Sequence, residues 1–66
     1  MPQSKASRVL FAYFERPAKE YARTVESIRV TGGLSLQEIE EIREKAAPGH
    51  VATILRHLDA NDQTDS

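Results

Sequence analysis

The sequence contains no cysteine, which excludes both a disulfide framework and a thiolate metal site. Long hydrophobic runs are also missing, because the apolar run near the N-terminus is interrupted by Glu15 and Arg16. A run of this length cannot span a bilayer, and no small-residue cleavage site follows it. We therefore expect neither a membrane span nor a signal peptide, and we predict a cytoplasmic protein.

Glycine and proline are scarce, with three of each in 66 residues. Gly32 and Gly33 follow a helical pattern and predict its end, because glycine adopts the left-handed conformation without a steric penalty. Pro48 and Gly49 predict a stop and a turn between two later helical patterns. Pro17 has no N–H to donate, so it either kinks one long helix or lies in the first turn of a second one.

Apolar residues recur at helical spacing, and the strict alternation of a strand is absent. We predict an all-α fold, a small bundle of three to four short helices at about residues 7–15, 17–30, 36–46 and 50–60. The last two helices form a helix-turn-helix-like pair. Residues 1–66 are predicted to be a single small domain, with frayed polar tails at residues 1–5 and 61–66.

The third helix has the clearest start signal. Ser35 and Glu38 have the spacing of a capping box, in which each side chain binds a backbone N–H of the other residue. Leu34 and Ile39 flank the cap at the spacing of a hydrophobic staple. The apolar positions at helical spacing in the first half are Leu10, Phe14, Pro17, Tyr21, Val25 and Ile28. The positions predicted to be buried in the last two helices are Leu36, Ile39, Ile42, Ala46, Val51, Ile54, Leu55 and Leu58.

The charges of the chain are distributed unevenly. Residues 1–31 carry six basic and three acidic side chains, a net +3, whereas residues 32–66 carry three basic and seven acidic ones, a net −4. A chain of this size gains only about 3–5 kcal/mol from a single core. We therefore expect it to bind a protein partner or to form a homo-oligomer, and either half can attract an oppositely charged surface.

No catalytic or metal-binding set can be assembled from these residues. Glu38, Glu40, Glu41 and Glu44 are typical of a solvated helix face, with Lys45 paired to Glu41 one turn away. His50 and His57 are seven residues apart, too far along one helix to chelate an ion together. We predict no enzyme activity, no cofactor, no metal and no small-molecule substrate.

All four aromatic residues lie in the first third of the chain, among basic residues. Arginine and aromatic side chains together are typical of interaction hot spots. One small core cannot bury them all, and the surplus, Phe11 or Tyr13, indicates an interface. The predicted protein interface consists of Phe11, Tyr13, Phe14, Tyr21, Arg8, Arg16 and Arg23. The resulting hypothesis is a small regulatory or adaptor protein that acts through helix-mediated protein–protein interaction or homodimerisation.

A second hypothesis comes from the segments 32–39 and 51–58, together with the helical pattern of 21–30. Over about residues 21–60 they resemble helix-turn-helix regulators and are similar to the N-terminal DNA-binding domains of IclR-type repressors. Residues 34–39 also resemble MerR-type proteins. This resemblance implies a DNA-binding transcription regulator whose last helix enters the major groove. The implied DNA contacts are His50, Thr53, Arg56 and His57.

Overall fold

The computed structural model describes residues 3–59, and within them the chain is all-helical. The four helices are α1 (Lys5–Glu15), α2 (Ala18–Val30), α3 (Leu36–Lys45) and α4 (Pro48–Leu58). The predicted all-α bundle is thus confirmed. The longest of these helices has 13 residues, and none of those described combines the length and apolar character that crossing a bilayer requires.

The first helix begins two residues earlier than predicted. The Ser4 side chain caps it by accepting a hydrogen bond from the backbone N–H of Ser7 at 3.1 Å. Lys5 therefore belongs to α1 and not to a frayed tail. The predicted tail at residues 61–66, like residues 1 and 2, lies outside the described residues.

Pro17 separates two helices instead of kinking one. Arg16 ends α1 in an extended conformation, and Pro17 is the extended N-cap of α2. The cause is local, since a proline ring disfavours the α conformation of the residue before it. The same geometry recurs later, where Ala46 and Ala47 are both extended and Pro48 is the first residue of α4.

Pro48 and Gly49 were predicted to form the turn before the last helix, and this prediction is wrong. The turn is made by Ala46 and Ala47, while Pro48 and Gly49 form the start of α4. Proline fits the first helical position because its missing N–H would have no partner there, and its fixed φ already suits a helix. The fourth helix accordingly begins at residue 48 and not at about residue 50.

The capping box of α3 is confirmed. Ser35 Oγ accepts a hydrogen bond from the Glu38 backbone N–H at 3.2 Å, and the Ser35 backbone N–H donates to Glu38 Oε1 at 2.8 Å. The hydrogen bond from the Ser35 backbone N–H is the largest cause of a lowered pKa at the Glu38 carboxyl. Leu34 and Ile39 are half-buried and line the same small cavity, as a hydrophobic staple requires.

The helices form two hairpins, α1–α2 and α3–α4, that pack on each other. In the described residues, α1 packs against α2 and α3, α4 also packs against α2 and α3, and α1 and α4 lie at opposite corners. The core between the hairpins consists of Ala6, Val9, Leu10, Ala12, Val25, Ile28, Ile42, Val51 and Ile54.

One position predicted to be buried, Leu36, is exposed. Leu36 is 82% exposed because it is the first residue of α3, outside the stripe that carries Ile42 into the core. Phe14, a predicted interface residue, is 49% exposed. The core-facing stripe of α1 follows residues 6, 9, 10 and 13, so Phe14 lies at its edge.

Glu41 links the two hairpins, and Lys5 links the start of α1 to the segment that follows α2. Glu41 accepts hydrogen bonds from the Ser4, Ser7 and Lys45 side chains at 3.1, 2.9 and 3.1 Å. These donors, with Lys45 the strongest, lower the pKa of the Glu41 carboxyl. Glu41 therefore holds α1 on α3 and is not simply part of a solvated acidic face. Lys5 Nζ donates to the carbonyl oxygens of Thr31 and Gly33, at 3.3 and 3.1 Å, where α2 ends.

Candidate functional site

Five aromatic rings from three helices meet on one side of the molecule. This aromatic–histidine cluster consists of Tyr13 and Phe14 from α1, Tyr21 from α2, and His50 and His57 from α4. Neighbouring ring centroids are 5.0 to 5.5 Å apart, and each pair is arranged edge to face. This geometry is favourable because the positive edge of one ring faces the negative face of the next.

Two hydrogen bonds between tyrosine and histidine side chains fix the cluster. Tyr13 Oη lies 2.9 Å from Nδ1 of His50, and Tyr21 Oη lies 2.7 Å from Nδ1 of His57. The imidazole tautomer decides which of the two atoms donates in each pair. The first bond joins α1 to α4 across the diagonal of the bundle, and the second joins α2 to α4.

The two tyrosines share one environment. Their ring centroids are 5.3 Å apart. Burial raises the pKa of Tyr21 to about 12, and the nearby Tyr13 adds to the effect, because two phenolates so close would repel each other. Tyr21 therefore remains a neutral hydrogen-bonding group up to strongly alkaline pH.

A second feature is the outer face of α1, which we define as Arg8, Phe11, Phe14 and Glu15. All four residues are exposed, and each phenylalanine side chain keeps 49% of its surface open to solvent. The Arg16 guanidinium carbon lies 5.0 Å from the centroid of the Phe11 ring, a cation–π contact. Phe14 connects this face to the cluster through its contacts with Tyr13 and His50.

The structure thus distributes the predicted protein-interface residues over two neighbouring regions. Arg8, Phe11 and Phe14 lie on the outer face of α1, and Arg16 follows α1 with its guanidinium over the Phe11 ring. Tyr13 and Tyr21 are half-buried in the aromatic–histidine cluster, and Arg23 is exposed on α2. Of the two expected surplus aromatics, Phe11 is therefore the exposed one, whereas Tyr13 packs against the core.

The residues implied as DNA contacts are also redistributed. His50 and His57 bind Tyr13 and Tyr21 through Nδ1, so two of the four side chains turn toward the first hairpin. The Thr53 hydroxyl donates to the carbonyl oxygen of Gly49 at 3.0 Å. Arg56 is exposed on α4. Tyr13 and Tyr21, predicted for the protein interface, and His50 and His57, implied as DNA contacts, thus belong to one cluster.

Two open grooves flank α4. One, of about 450 Å³, lies between α3 and α4 and is lined by Arg43, Ala46, Pro48, Val51, Ala52 and Leu55. The other, of about 440 Å³, lies between α2 and α4 and is lined by Tyr21, Ala22, Val25, Glu26, Arg29 and His57. Over residues 3–59, no three His, Cys, Asp or Glu side chains are grouped so that they could hold a metal ion.

Comparisons of the chain with models of protein families, with curated proteins and with solved structures gave no match. The resemblance to IclR-type regulators therefore rests on the residue pattern alone. The geometry described above is what supports a functional proposal for this chain.

Proposed function

We propose that this chain is a small, non-enzymatic cytoplasmic protein of regulatory or adaptor type that binds another protein chain through the outer face of α1. The observation that carries this proposal is the pair of half-exposed phenylalanine rings, Phe11 and Phe14, side by side on a helix whose opposite face is fully packed.

The core side of α1 is filled without these two rings. The core side of α1 is occupied by small and aliphatic residues, Ala6, Val9, Leu10 and Ala12, which are at most 7% exposed. Covering the exposed half of one phenylalanine contributes about 2 kcal/mol of binding free energy at the usual value per unit of apolar area. Two adjacent rings, with arginines beside them, have the composition of an interaction hot spot.

The aromatic–histidine cluster lies next to this face and also supports the proposal. Phe14 packs edge to face on both Tyr13 and His50, and Tyr13 is hydrogen-bonded to His50. These contacts hold the C-terminal part of α1 in place before any partner binds. A surface that is already ordered loses less conformational entropy on association.

Site-specific photocrosslinking tests this proposal. Benzoylphenylalanine is incorporated in place of Phe11 or Phe14 in the full chain, expressed in its native host, and the chain is irradiated. Matched controls carry the same residue in place of Val30 or Leu36, which are 71% and 82% exposed and lie outside the α1 face. We expect discrete protein adducts from positions 11 and 14 and none from positions 30 and 36.

The opposite pattern would overturn the proposal. If positions 11 and 14 give no adduct, or if positions 30 and 36 give the same adducts, the outer face of α1 is not the binding surface. Circular dichroism of each variant shows whether it is folded, and all four positions are exposed, so the substitutions should leave the helices intact.

A further inference from the structure

The charges on the outer face of α1 have a specific arrangement. Arg8 and Glu15 are seven residues apart, almost two helical turns, so they lie on the same side of the helix. Phe11 lies between them along the axis. Both charged residues are exposed, and no hydrogen bond or ion pair within residues 3–59 joins either of them to another side chain.

This arrangement is self-complementary. Consider a two-fold axis that passes between two α1 helices, level with the middle of each and perpendicular to both. It makes the two helices antiparallel and leaves each residue on the same side of the contact. Arg8 then faces Glu15 of the second copy, and Glu15 faces Arg8 of the second copy. We propose, building on the binding role of this face, that its occupant is a second copy of the chain, with the two α1 helices antiparallel.

The aromatic residues fit the same axis. Phe11 lies at the centre of the face, so the two Phe11 rings meet near the axis, and each Phe14 ring extends over the other helix near Ser7. The hydrophobic contact is thereby central and the two ion pairs are at its ends. This is the usual anatomy of a protein interface, with an apolar centre and a charged rim.

The signs of the charges favour a second copy over other occupants. An acidic partner surface would gain from Arg8 but would be repelled by Glu15, whereas an isologous contact satisfies both. The net charge of the whole chain is only −1, so two copies repel each other weakly. The contact between two helices of 11 residues is small, and we therefore expect reversible association.

Sedimentation equilibrium of the full chain, from about 1 µM to about 1 mM, tests the proposal. We expect a monomer–dimer equilibrium. Arg8→Glu or Glu15→Arg alone places like charges opposite each other twice in each dimer, and should raise the Kd at least about tenfold. The double variant Arg8→Glu/Glu15→Arg exchanges the charges and should restore the Kd to within about threefold.

Two charge reversals serve as matched controls. Glu44→Arg on α3 and Arg56→Glu on α4 alter exposed residues away from α1 by the same amount of charge, and they should leave the Kd unchanged. Phe11→Ser/Phe14→Ser removes the apolar centre and should abolish the dimer. Circular dichroism of every variant confirms that its helices are formed.

The contrary outcomes separate this inference from the proposed function. A chain that stays monomeric throughout overturns the second-copy occupant and leaves the photocrosslinking test of α1 intact. A dimer that is lost on Phe11→Ser/Phe14→Ser but not restored by the charge exchange overturns the antiparallel arrangement alone. A dimer unaffected by Phe11→Ser/Phe14→Ser also overturns the second-copy occupant, because its interface then lies elsewhere, and it leaves the photocrosslinking test of α1 intact.

Discussion

The phenolic oxygen of Tyr21 lies 2.7 Å from Nδ1 of His57, and this bond joins the first hairpin to the last helix. Because Tyr21 is partly buried beside Tyr13, the pKa of its hydroxyl is raised from 10.0 to about 12. The folded state thus favours the neutral phenol. The contribution of the neutral Tyr21 hydroxyl to stability is fully present below pH 10 and is lost as the pH rises toward about 12.

The alkaline titration of the two tyrosines should therefore include a late step. We expect the near-ultraviolet absorbance of tyrosinate to show one phenol that ionises close to pH 12. Tyr21→Phe should remove this step, whereas Tyr13→Phe should retain it, since burial is the larger cause of the shift. A late step that survives Tyr21→Phe would contradict the assignment.

The Tyr21–His57 hydrogen bond should be measurable as a coupling between the two side chains. A double-mutant cycle with Tyr21→Phe and His57→Ala, measured by urea denaturation, should give a coupling of about 1 kcal/mol. The pairing Tyr21→Phe with Arg56→Ala is the control, since Arg56 lies next to His57 in sequence but does not bind Tyr21 among the described contacts. Equal coupling in both cycles would refute a specific bond.

Glu41 should make stability sensitive to acid. Its pKa is lowered in the fold from the ordinary value of 4.5, so its contribution is present above that pH and is lost as the pH falls through the folded pKa. Glu41→Gln should lower the urea midpoint at about pH 7. Between about pH 7 and about pH 3, the midpoint should then fall less in this variant than in the unmodified chain. Glu44→Gln, on the exposed side of α3, is the control and should leave both unchanged.

The same substitution should have opposite effects at two glycines. Gly33 has a φ of +77°, where an added Cβ is strained, so Gly33→Ala should lower the free energy of unfolding by about 1 kcal/mol. Gly49 lies in the first turn of α4 with open space around it, and Gly49→Ala should raise stability by about 0.5 kcal/mol. Thermal denaturation of both variants compares the signs directly.

Truncation of Ile42 and of Leu36, both on α3, should differ sharply in its effect on stability. Ile42 is fully buried, and Ile42→Ala should cost about 2–5 kcal/mol, close to the whole stability that a core of this size provides. Leu36 is exposed despite its place in the apolar pattern, and Leu36→Ala should change stability by less than about 0.5 kcal/mol. A large loss at Leu36 would show that it is covered in solution.

Local signals predicted most of the fold. The capping box of Ser35 and Glu38 and the end of α2 at the two glycines depend only on neighbouring residues, and both are present in the structure. The turn at Ala46 and Ala47 was also encoded locally, because a proline follows it as one follows Arg16. Pro48 and Gly49 also have the composition of a turn, which is why the sequence-based prediction is wrong at this point.

The candidate site was less predictable because it depends on how the hairpins pack. Tyr13 and His50 are 37 residues apart in sequence, and no periodicity relates them. Their pairing follows from the angle and rotation of α1 and α4, which are set by the whole core. The only available signal was a similarity of spacing, eight residues between the tyrosines and seven between the histidines.

The division of the core between two hairpins has a consequence for the integrity of the chain. The hairpins pack on each other through α1 with α3 and α2 with α4, and the covalent connection between them runs through Gly32 and Gly33, which lie between α2 and α3. The halves carry opposite net charges, +3 and −4. If the chain is cut at this connection, the two peptides should therefore reassemble spontaneously. Reassembly should be faster at low ionic strength than at high ionic strength, because salt screens the attraction between the halves. The covalent connection then serves mainly to raise the effective concentration of one hairpin for the other.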